Sequence, residues 1–301
     1  MKDIYGSHLP DKNNRNVEAD CETVSGRVFS EERALYGISN TVVSGCRFEG
    51  EEDGESALKE TRGIKVEGCL FRLRYPLWHT ENTVIENSEM TETARAALWY
   101  AKNIKIVNSV LNGVKAVREC RDVDVAGSTI VSAEFGWLNK RVTVKESRIT
   151  SEYPFLKTEN LTLTDSVLAG KYSFQYVKNA GISNCELNTK DAFWHSKNVT
   201  VKDSVLNGEY LGWYSEGLTL INCKISGTQP LCYCKKLKLI NCEMYACDLS
   251  FEYSEVDADV TTVIDSVKNP AKGVIRAPGY GDIILSGSVF ENRAKIETVT
   301  P

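Results

Sequence analysis

Charged residues interrupt a segment whose counterparts elsewhere in the chain are aromatic. Lys115, Arg118 and Glu119 lie in the sequence KAVREC, and Glu134 follows in the next repeat. An arginine can bind a carboxylate or phosphate with two hydrogen bonds, and Glu119 is the nearby candidate base. We take Arg118, Glu119 and Glu134 as candidate catalytic residues. The alternative is a structural patch of ion pairs.

The two candidate carboxylates are predicted to be too far apart for a glycosidase. Glu119 and Glu134 lie four columns and one coil apart, which we estimate as about 14 Å. Paired-carboxylate glycosidases need at most about 9.5 Å. If Arg118 binds a ligand, its replacement by alanine should cost little stability, whereas a large loss would favour the structural alternative.

Aromatic residues recur in one short segment, for example YPLWH at 75, AALWY at 96, DAFWH at 191 and YLGWY at 210. Aligned, the segments stack tryptophans in one column and tyrosine or histidine in the next. We predict that each is a strand with alternating side chains, and that the Tyr/His column faces outward because it also holds Glu119 and Lys157. Such a column could bind a saccharide or another flat ligand, or it could simply stabilise the fold. The candidate ligand-binding residues are Tyr100, Lys115, Arg118, Trp137, Tyr153, Tyr176, His195 and Tyr214.

Histidines and cysteines form no metal motif. His79 and His195 share a column but are six coils apart, on the order of 29 Å. The chain has ten cysteines and no C-x-x-C pair. Cys223 and Cys242 fall where other repeats have serine, which suggests small core residues, with metal or redox chemistry as the alternative. We predict no metal and no cofactor.

A repeat positions these residues along most of the chain. One phrase recurs, as in NTVVSGCRF, NLTLTDSVL and GLTLINCKI. Its serine or cysteine falls at Cys46, Cys69, Ser88, Ser109, Ser128, Ser147, Ser166, Cys185, Ser204, Cys223 and Cys242. The spacing is 23, 19 and 21 residues, then 19 seven times running. Spacing this regular indicates a solenoid.

Each repeat predicts one coil of an all-β structure. Apolar residues alternate, as at Ile104 and Ile106, which indicates a strand with one buried face. A 19-residue unit is too short for a strand plus a crossover helix, which needs about 30 residues. We predict a single-stranded parallel β-helix of about twelve coils, stacked about 4.8 Å apart. A right-handed winding is favoured, because left-handed examples follow a hexapeptide period and 19 is not a multiple of six.

The whole chain, 1–301, is predicted to be one β-helix domain. Residues 21–253 form the regular coils, 1–20 an N-terminal cap, and 254–301 irregular final coils and a C-terminal cap, because open ends expose strand edges. The constant spacing near Arg118 leaves no long loop to wall a concave site there. Enzymes of this fold usually need such loops, so the sequence favours a non-catalytic role.

Composition bears on the class of partner. Charged residues make up 26% of the chain and the formal net charge is −5, which argues against nucleic acid. No stretch approaches 18 consecutive apolar residues, so no membrane span is predicted. The N-terminus has no signal-peptide pattern, which together with ten cysteines predicts a cytoplasmic protein with reduced thiols. The oligomeric state does not follow from the sequence.

The short coils, the N-x-T-V-x-[ND]-S phrase and the segments PLWHTEN, ALWYAKN and AFWHSKN resemble the pectin-lyase-like superfamily of right-handed β-helices. Within it, they resemble a bacterial family classed only as a domain of unknown function. The resemblance spans the chain and implies the fold but no activity. Polygalacturonases of that superfamily carry N-T-D, D-D, G-H-G and R-I-K segments, none of which occurs here.

Three functions remain open at this point. The favoured one is a non-catalytic binding or scaffold solenoid that holds a saccharide or protein partner on its aromatic face. The alternative is a carbohydrate-active enzyme of lyase, hydrolase or epimerase type, centred on the coil of Arg118 and Glu119. The third is a structural solenoid that associates through its ends or its side.

Overall fold

The chain winds as an all-β parallel solenoid of about 14 turns. The computed structural model describes residues 21–51 and 54–300, and every strand pairing within them is parallel. Strand partners in the regular part lie one repeat apart, as in Val142 beside Leu161 and Leu161 beside Ala180. The predicted parallel β-helix is confirmed, with about 14 turns rather than about twelve.

One side of each coil, the long-strand face, carries the alternating apolar residues of the repeat. Its side chains point alternately into the core and into solvent, so Ile104, Val123 and Val142 stack as one buried column. The strands of this face are Glu22–Ser25, Thr41–Ser44, Lys65–Glu67, Glu81–Glu86, Lys102–Val107, Arg121–Ala126, Lys140–Lys145, Glu159–Thr164, Lys178–Ser183, Lys197–Lys202, Glu216–Ile221, Leu237–Tyr245, Glu255–Val260, Lys272–Ala277 and Arg293–Thr298.

A second side, the short-strand face, follows the turn after the repeated serine or cysteine. Its strands are Val28–Phe29, Arg47–Phe48, Leu70–Phe71, Glu89–Met90, Val110–Leu111, Thr129–Val131, Arg148–Ser151, Val167–Lys171, Glu186–Lys190, Val205–Asn207 and Lys224–Ser226, and the end of Leu237–Tyr245 continues it. Near the C-terminus, Ile264–Lys268 pairs separately with Tyr280–Ile284.

The repeated serine forms an internal ladder between these two faces. Ser147 donates its backbone N–H to the hydroxyl of Ser166 at 3.0 Å, and Cys185 donates in the same way to Ser204 at 3.1 Å. The Ser147 hydroxyl donates to the carbonyl of Lys145 at 2.7 Å. Each buried hydroxyl is thereby satisfied at a corner where the strand ladder ends. Equivalent positions of successive repeats are vertical neighbours, as the sequence predicts.

The third side is a turn in most coils, so the prediction of a third strand is wrong for them. Strand pairing there joins Leu98–Trp99 to Val117–Arg118, and a single bridge continues from Arg118 to Trp137. Elsewhere, residues adopt left-handed backbone angles at every second position, with φ of 50° at Tyr172, 62° at Phe174 and 56° at Tyr176. Left-handed residues break a strand, because strand geometry requires negative φ.

The coils continue beyond the regular repeat. In the long-strand face, Ala258 pairs with Ile275 and Ile275 with Ile296, so the first of these coils is shorter than the regular repeat and the second is longer. Strand Arg293–Thr298 is the last one described. The predicted N-terminal cap, 1–20, lies outside the described residues.

Candidate functional site

Tryptophans of the third side are held against the backbone of the next coil. The indole Nε1 donates to a carbonyl of that coil: from Trp137 to Tyr153 at 2.5 Å, and from Trp194 to Tyr210 at 2.8 Å. Trp213 bonds in the same way. These indoles are half-buried, so the Trp column, including the candidate Trp137, serves mainly to pack the third side.

The next column, called here the outer ladder, faces solvent as the sequence predicts. Tyr176, His195, Tyr214 and Tyr233 stack in order with ring centroids 5.0, 5.1 and 4.8 Å apart and planes within 15° of parallel. Tyr176 and Tyr214 are each 45% exposed. Because stacking covers the ring faces, this part of the ladder presents ring edges rather than a flat surface.

The outer ladder is interrupted between Tyr100 and Tyr176. The intervening coils carry Glu119, Leu138 and Lys157 in this column. Tyr100 is 42% exposed and stacks on His79 with centroids 5.1 Å apart, and among the described residues no ring stacks on it from the coil of Glu119. At the other end, the Lys157 ammonium lies 5.8 Å from the centroid of Tyr176. Tyr100 therefore has a ring stacked on one face, whereas the residue above its other face is Glu119.

A groove of ≈ 790 Å³ opens at this interruption, and we call it the gap groove. Glu119 lies inside it, with Oε1 accepting from Trp99 Nε1 at 3.2 Å and 3.5 Å from Arg118 Nε. Trp99 differs here from the other tryptophans, whose indoles bond to backbone carbonyls. The groove is lined by Tyr100, Lys102, Glu119, Cys120, Arg121, Leu138 and Lys140.

Cations outnumber carboxylates in the gap groove. Lys102 pairs with Glu81 at 2.8 Å and Lys140 with Glu159 at 3.6 Å, on the long-strand face. Arg121 forms no ion pair within the described part of the chain. Lys102, Lys140 and Glu119 each have an oppositely charged partner, so Arg121 is the lining charge that the described residues leave for an acidic ligand.

Arg118 fills the place of a tryptophan and lies between two of them. Its guanidinium carbon is 4.8 Å from the ring centroid of Trp99 and 5.2 Å from that of Trp137. Nη1 lies 3.4 Å from Glu134 Oε2, and the side chain is only 19% exposed. Arg118 does not line the gap groove. Arg118 therefore packs between two indoles of the third side rather than facing the gap groove.

The estimated separation of the two carboxylates is wrong. Glu119 and Glu134 both reach the guanidinium of Arg118, at 3.5 and 3.4 Å, so their nearest oxygens are at most about 9 Å apart. The estimate measured backbone positions, whereas these long side chains converge on one cation. Glu134 also lies 3.9 Å from Lys115 Nζ and outside the gap groove, so Glu119 alone of the catalytic candidates is available there.

The remaining predicted ligand residues lie elsewhere. Tyr153 stacks on Tyr172 with centroids 4.6 Å apart, outside the gap groove. Tyr176, His195 and Tyr214 belong to the stacked part of the outer ladder. Of the eight predicted ligand-binding residues, the gap groove contains Tyr100.

A second groove was missed from the sequence, although the spacing signals it. The coils with spacings of 23 and 21 residues, which begin at Cys46 and Ser88, wall an open groove of ≈ 920 Å³ that holds Arg47, Arg72, Arg74 and Arg95. Glu49 joins two of these, 2.7 Å from Arg47 Nε and 3.5 Å from Arg72 Nε. Internal ion pairs therefore satisfy much of this arginine cluster.

No group of three or more metal-ligating side chains occurs among residues 21–51 and 54–300. His79 stacks on Tyr100, and His195 lies between Tyr176 and Tyr214. The described part of the chain contains no helix long and apolar enough to cross a membrane.

All ten cysteines are free thiols, and all except Cys21 are buried. Burial raises the pKa of Cys69 to about 11 and that of Cys120 to about 12. Thiolate is the reactive form, so Cys69 and Cys120 are inert in the folded state.

We expect an aromatic disulfide reagent to label one thiol, Cys21, in the native protein at neutral pH and ten after unfolding. Cys21→Ser should abolish native labelling and leave nine thiols in denaturant. Rapid reaction of a second thiol in the folded protein would contradict the assignment of the buried cysteines to the core.

Comparisons with known proteins place the chain in a family. No curated protein matches it. Among solved structures, it is similar to PfbA, a surface adhesin of Streptococcus pneumoniae, at 10% identity over 75% of this chain and 74% of that one, with a TM-score of 0.37. It is similar to the A-module of the mannuronan C-5 epimerase AlgE4 of Azotobacter vinelandii at 11% identity, covering 93% and 90%, with a TM-score of 0.30.

The tailspike protein of the E. coli bacteriophage HK620, solved with a hexasaccharide, matches at 10% identity over 87% of this chain and 60% of the tailspike, with a TM-score of 0.42. Such neighbours are right-handed β-helix proteins, the hand favoured by the coil length. Residues 22–297 match a family described as "Protein of unknown function (DUF3737)", which bears out the predicted resemblance. The chain belongs to the DUF3737 family.

Proposed function

We propose that this protein binds a saccharide in the gap groove without chemical turnover. The observation that carries the proposal is the break in the outer ladder, which leaves one face of Tyr100 without a stacked ring beside the carboxylate of Glu119. A sugar ring combines an apolar face with a rim of hydroxyls. An open aromatic face next to acceptors and donors matches both parts of it.

The size and rigidity of the gap groove support this proposal. Its volume of ≈ 790 Å³ falls within the range of about 300–1,000 Å³ found for ligand sites. Glu119 is oriented by Trp99 and Arg118 before any ligand arrives, which lowers the entropic cost of binding. Arg121 has no ion-pair partner among the described residues, so its charge favours an acidic saccharide over a neutral one.

A carbohydrate-active enzyme centred on the same coil is the second candidate. It is supported by the placement of one carboxylate, Glu119, among Lys102, Arg121 and Lys140. A carboxylate base beside cations that stabilise a developing anion could abstract a proton from an acidic sugar. Incubation with uronic-acid polymers, followed by ultraviolet absorbance of unsaturated products, tests this. Turnover that is lost in Glu119→Gln would replace the binding proposal.

The binding proposal is tested by a glycan array, with titration of the best saccharide by calorimetry. We expect binding to an acidic oligosaccharide, weakened at least tenfold, or about 1.4 kcal/mol, by Tyr100→Ala, since that ring supplies the open stacking face. Glu119→Gln should also weaken binding, because the amide changes the acceptors offered to sugar hydroxyls.

The matched control is Tyr214→Ala, which removes an equally exposed tyrosine whose ring faces are covered by His195 and Tyr233. It should leave the affinity unchanged. Equal losses in both tyrosine variants would mean that the ring edges of the outer ladder bind the sugar. Absence of binding to every acidic and neutral glycan would exclude the proposal, and selective capture of a protein would support the alternative partner class.

A further inference from the structure

Among residues 21–51 and 54–300, apolar side chains of the last coil are left exposed. Val267 and Ile275 are 0% exposed in their coil, whereas Ile283, which pairs with Val267, is 48% exposed. Ile296, which pairs with Ile275, is only partly buried. Nearby lie Leu285, 50% exposed, and Phe290, 64% exposed. Apolar residues collected at one end of a rod indicate a contact surface.

The same end presents an unpaired strand edge. Strand Arg293–Thr298 pairs with Lys272–Ala277 on one side, and no described residue pairs with its other side. Its free N–H and C=O groups form a template for another strand. Lys295 and Glu297 are exposed on the outside of this strand, while Ala294 and Ile296 face the core.

We propose that two copies of this chain join end to end through this strand, related by a two-fold axis. A two-fold axis makes the two strands antiparallel. When the axis passes through Ile296, this residue lies opposite Ile296 of the second copy. Lys295 of each copy then lies opposite Glu297 of the other copy, which gives two such pairs. The core column then continues across the junction with an ion pair on each side.

Charge selects this register over its neighbour. An axis at Lys295 would place the two Lys295 ammonium groups opposite each other, which is unfavourable. The favoured register also keeps inward side chains inward in both copies, whereas a slip of one residue in one strand would turn them out.

Two further exposed apolar residues lie beside this edge strand. Ile283 pairs with Val267 of the preceding coil, and Ile283 and Leu285 are about half exposed in the single chain. Joining the ends at Ile296 would therefore remove apolar surface from water as well as pair the edge strands.

The oligomeric state is tested by sedimentation equilibrium of the full chain. We expect a dimer, with dissociation constants raised about tenfold by Lys295→Glu and by Glu297→Lys, since each places like charges opposite each other twice. The double variant Lys295→Glu/Glu297→Lys reverses both charges and should restore dimerisation. Rescue by the double variant is a result that only pairing of these two positions explains.

Lys105→Glu is the matched control, because Lys105 is an exposed outward lysine of the long-strand face with a strand on each side. It should leave the dimer intact. Thermal melting of every variant separates dissociation from unfolding; Glu297→Lys also loses a contact at 3.6 Å to Arg276. A wild-type chain that stays monomeric at high micromolar concentration, or single variants that dimerise as the wild type does, would overturn the proposal.

Discussion

Phe174→Ala is expected to lower the free energy of unfolding by about 3–5 kcal/mol, the largest effect predicted for a single residue here. The ring is fully buried and stacks between Phe155, with centroids 5.5 Å apart, and Phe193, with centroids 4.9 Å apart. Alanine would leave a cavity inside a column whose backbone is fixed by the coils above and below. Denaturant unfolding followed by circular dichroism measures the loss.

Phe174→Leu is the control, because leucine occupies the same position at Leu77, Leu98 and Leu231 of other coils. We expect a loss of about 1 kcal/mol, since leucine fills most of the space and forfeits only the ring stacking. If alanine and leucine are equally destabilising, the stacking geometry rather than the filled volume holds the third side together.

The neighbours of each residue in the coils above and below can be predicted from the sequence, because residues one repeat apart come into contact when the coils stack in register. Once the period is known, Ser147 must lie next to Ser166, and the hydrogen bond between them confirms it. The same logic placed Arg118 between Trp99 and Trp137. Columns are predictable because each residue has one neighbour above and one below, set by backbone pairing alone.

The conformation within a coil is less accessible from the sequence. Alternation along a strand predicted the outward position of the Tyr/His column, yet the third side is mostly a turn. Phe174 and Tyr176 have left-handed backbone angles, which residue type does not indicate, because such angles are uncommon for aromatic residues. Hydrogen bonds and ring stacking between adjacent coils stabilise these left-handed conformations. The conformations therefore depend on the assembled solenoid and not on the local residue types.

The candidate groove was partly visible in the sequence. The aligned column shows Glu119, Leu138 and Lys157 between two aromatic stretches, so the interruption itself could be predicted. The orientation of the rings could not be predicted, and it decides that Tyr100 has a stacked ring on one face while Tyr214 has one on both. The alignment of columns also does not show how far a long side chain extends from its backbone. Glu119 and Glu134 belong to different columns, yet both side chains reach Arg118.

Arg118→Ala is expected to lower the free energy of unfolding by about 2–3 kcal/mol. The substitution removes a cation from between two indoles and leaves Glu119 and Glu134 without their shared partner. A loss of this size, measured by thermal and denaturant unfolding, would identify Arg118 as a structural residue. A loss below about 0.5 kcal/mol, as at ordinary surface sites, would instead make it available to a ligand.

Arg118→Trp separates the structural role of this residue from its effect on Glu119. A tryptophan fits between Trp99 and Trp137, and its Nε1 would meet the carbonyl of Glu134 in the next coil, as Trp137 meets that of Tyr153. Most of the stability should therefore return. Glu119 would still lack its cation, so saccharide affinity should fall as in Glu119→Gln. Full stability with undiminished saccharide affinity would show that ligand binding does not depend on the orientation of Glu119 by Arg118. Tyr100 would then provide the binding contact without an oriented Glu119.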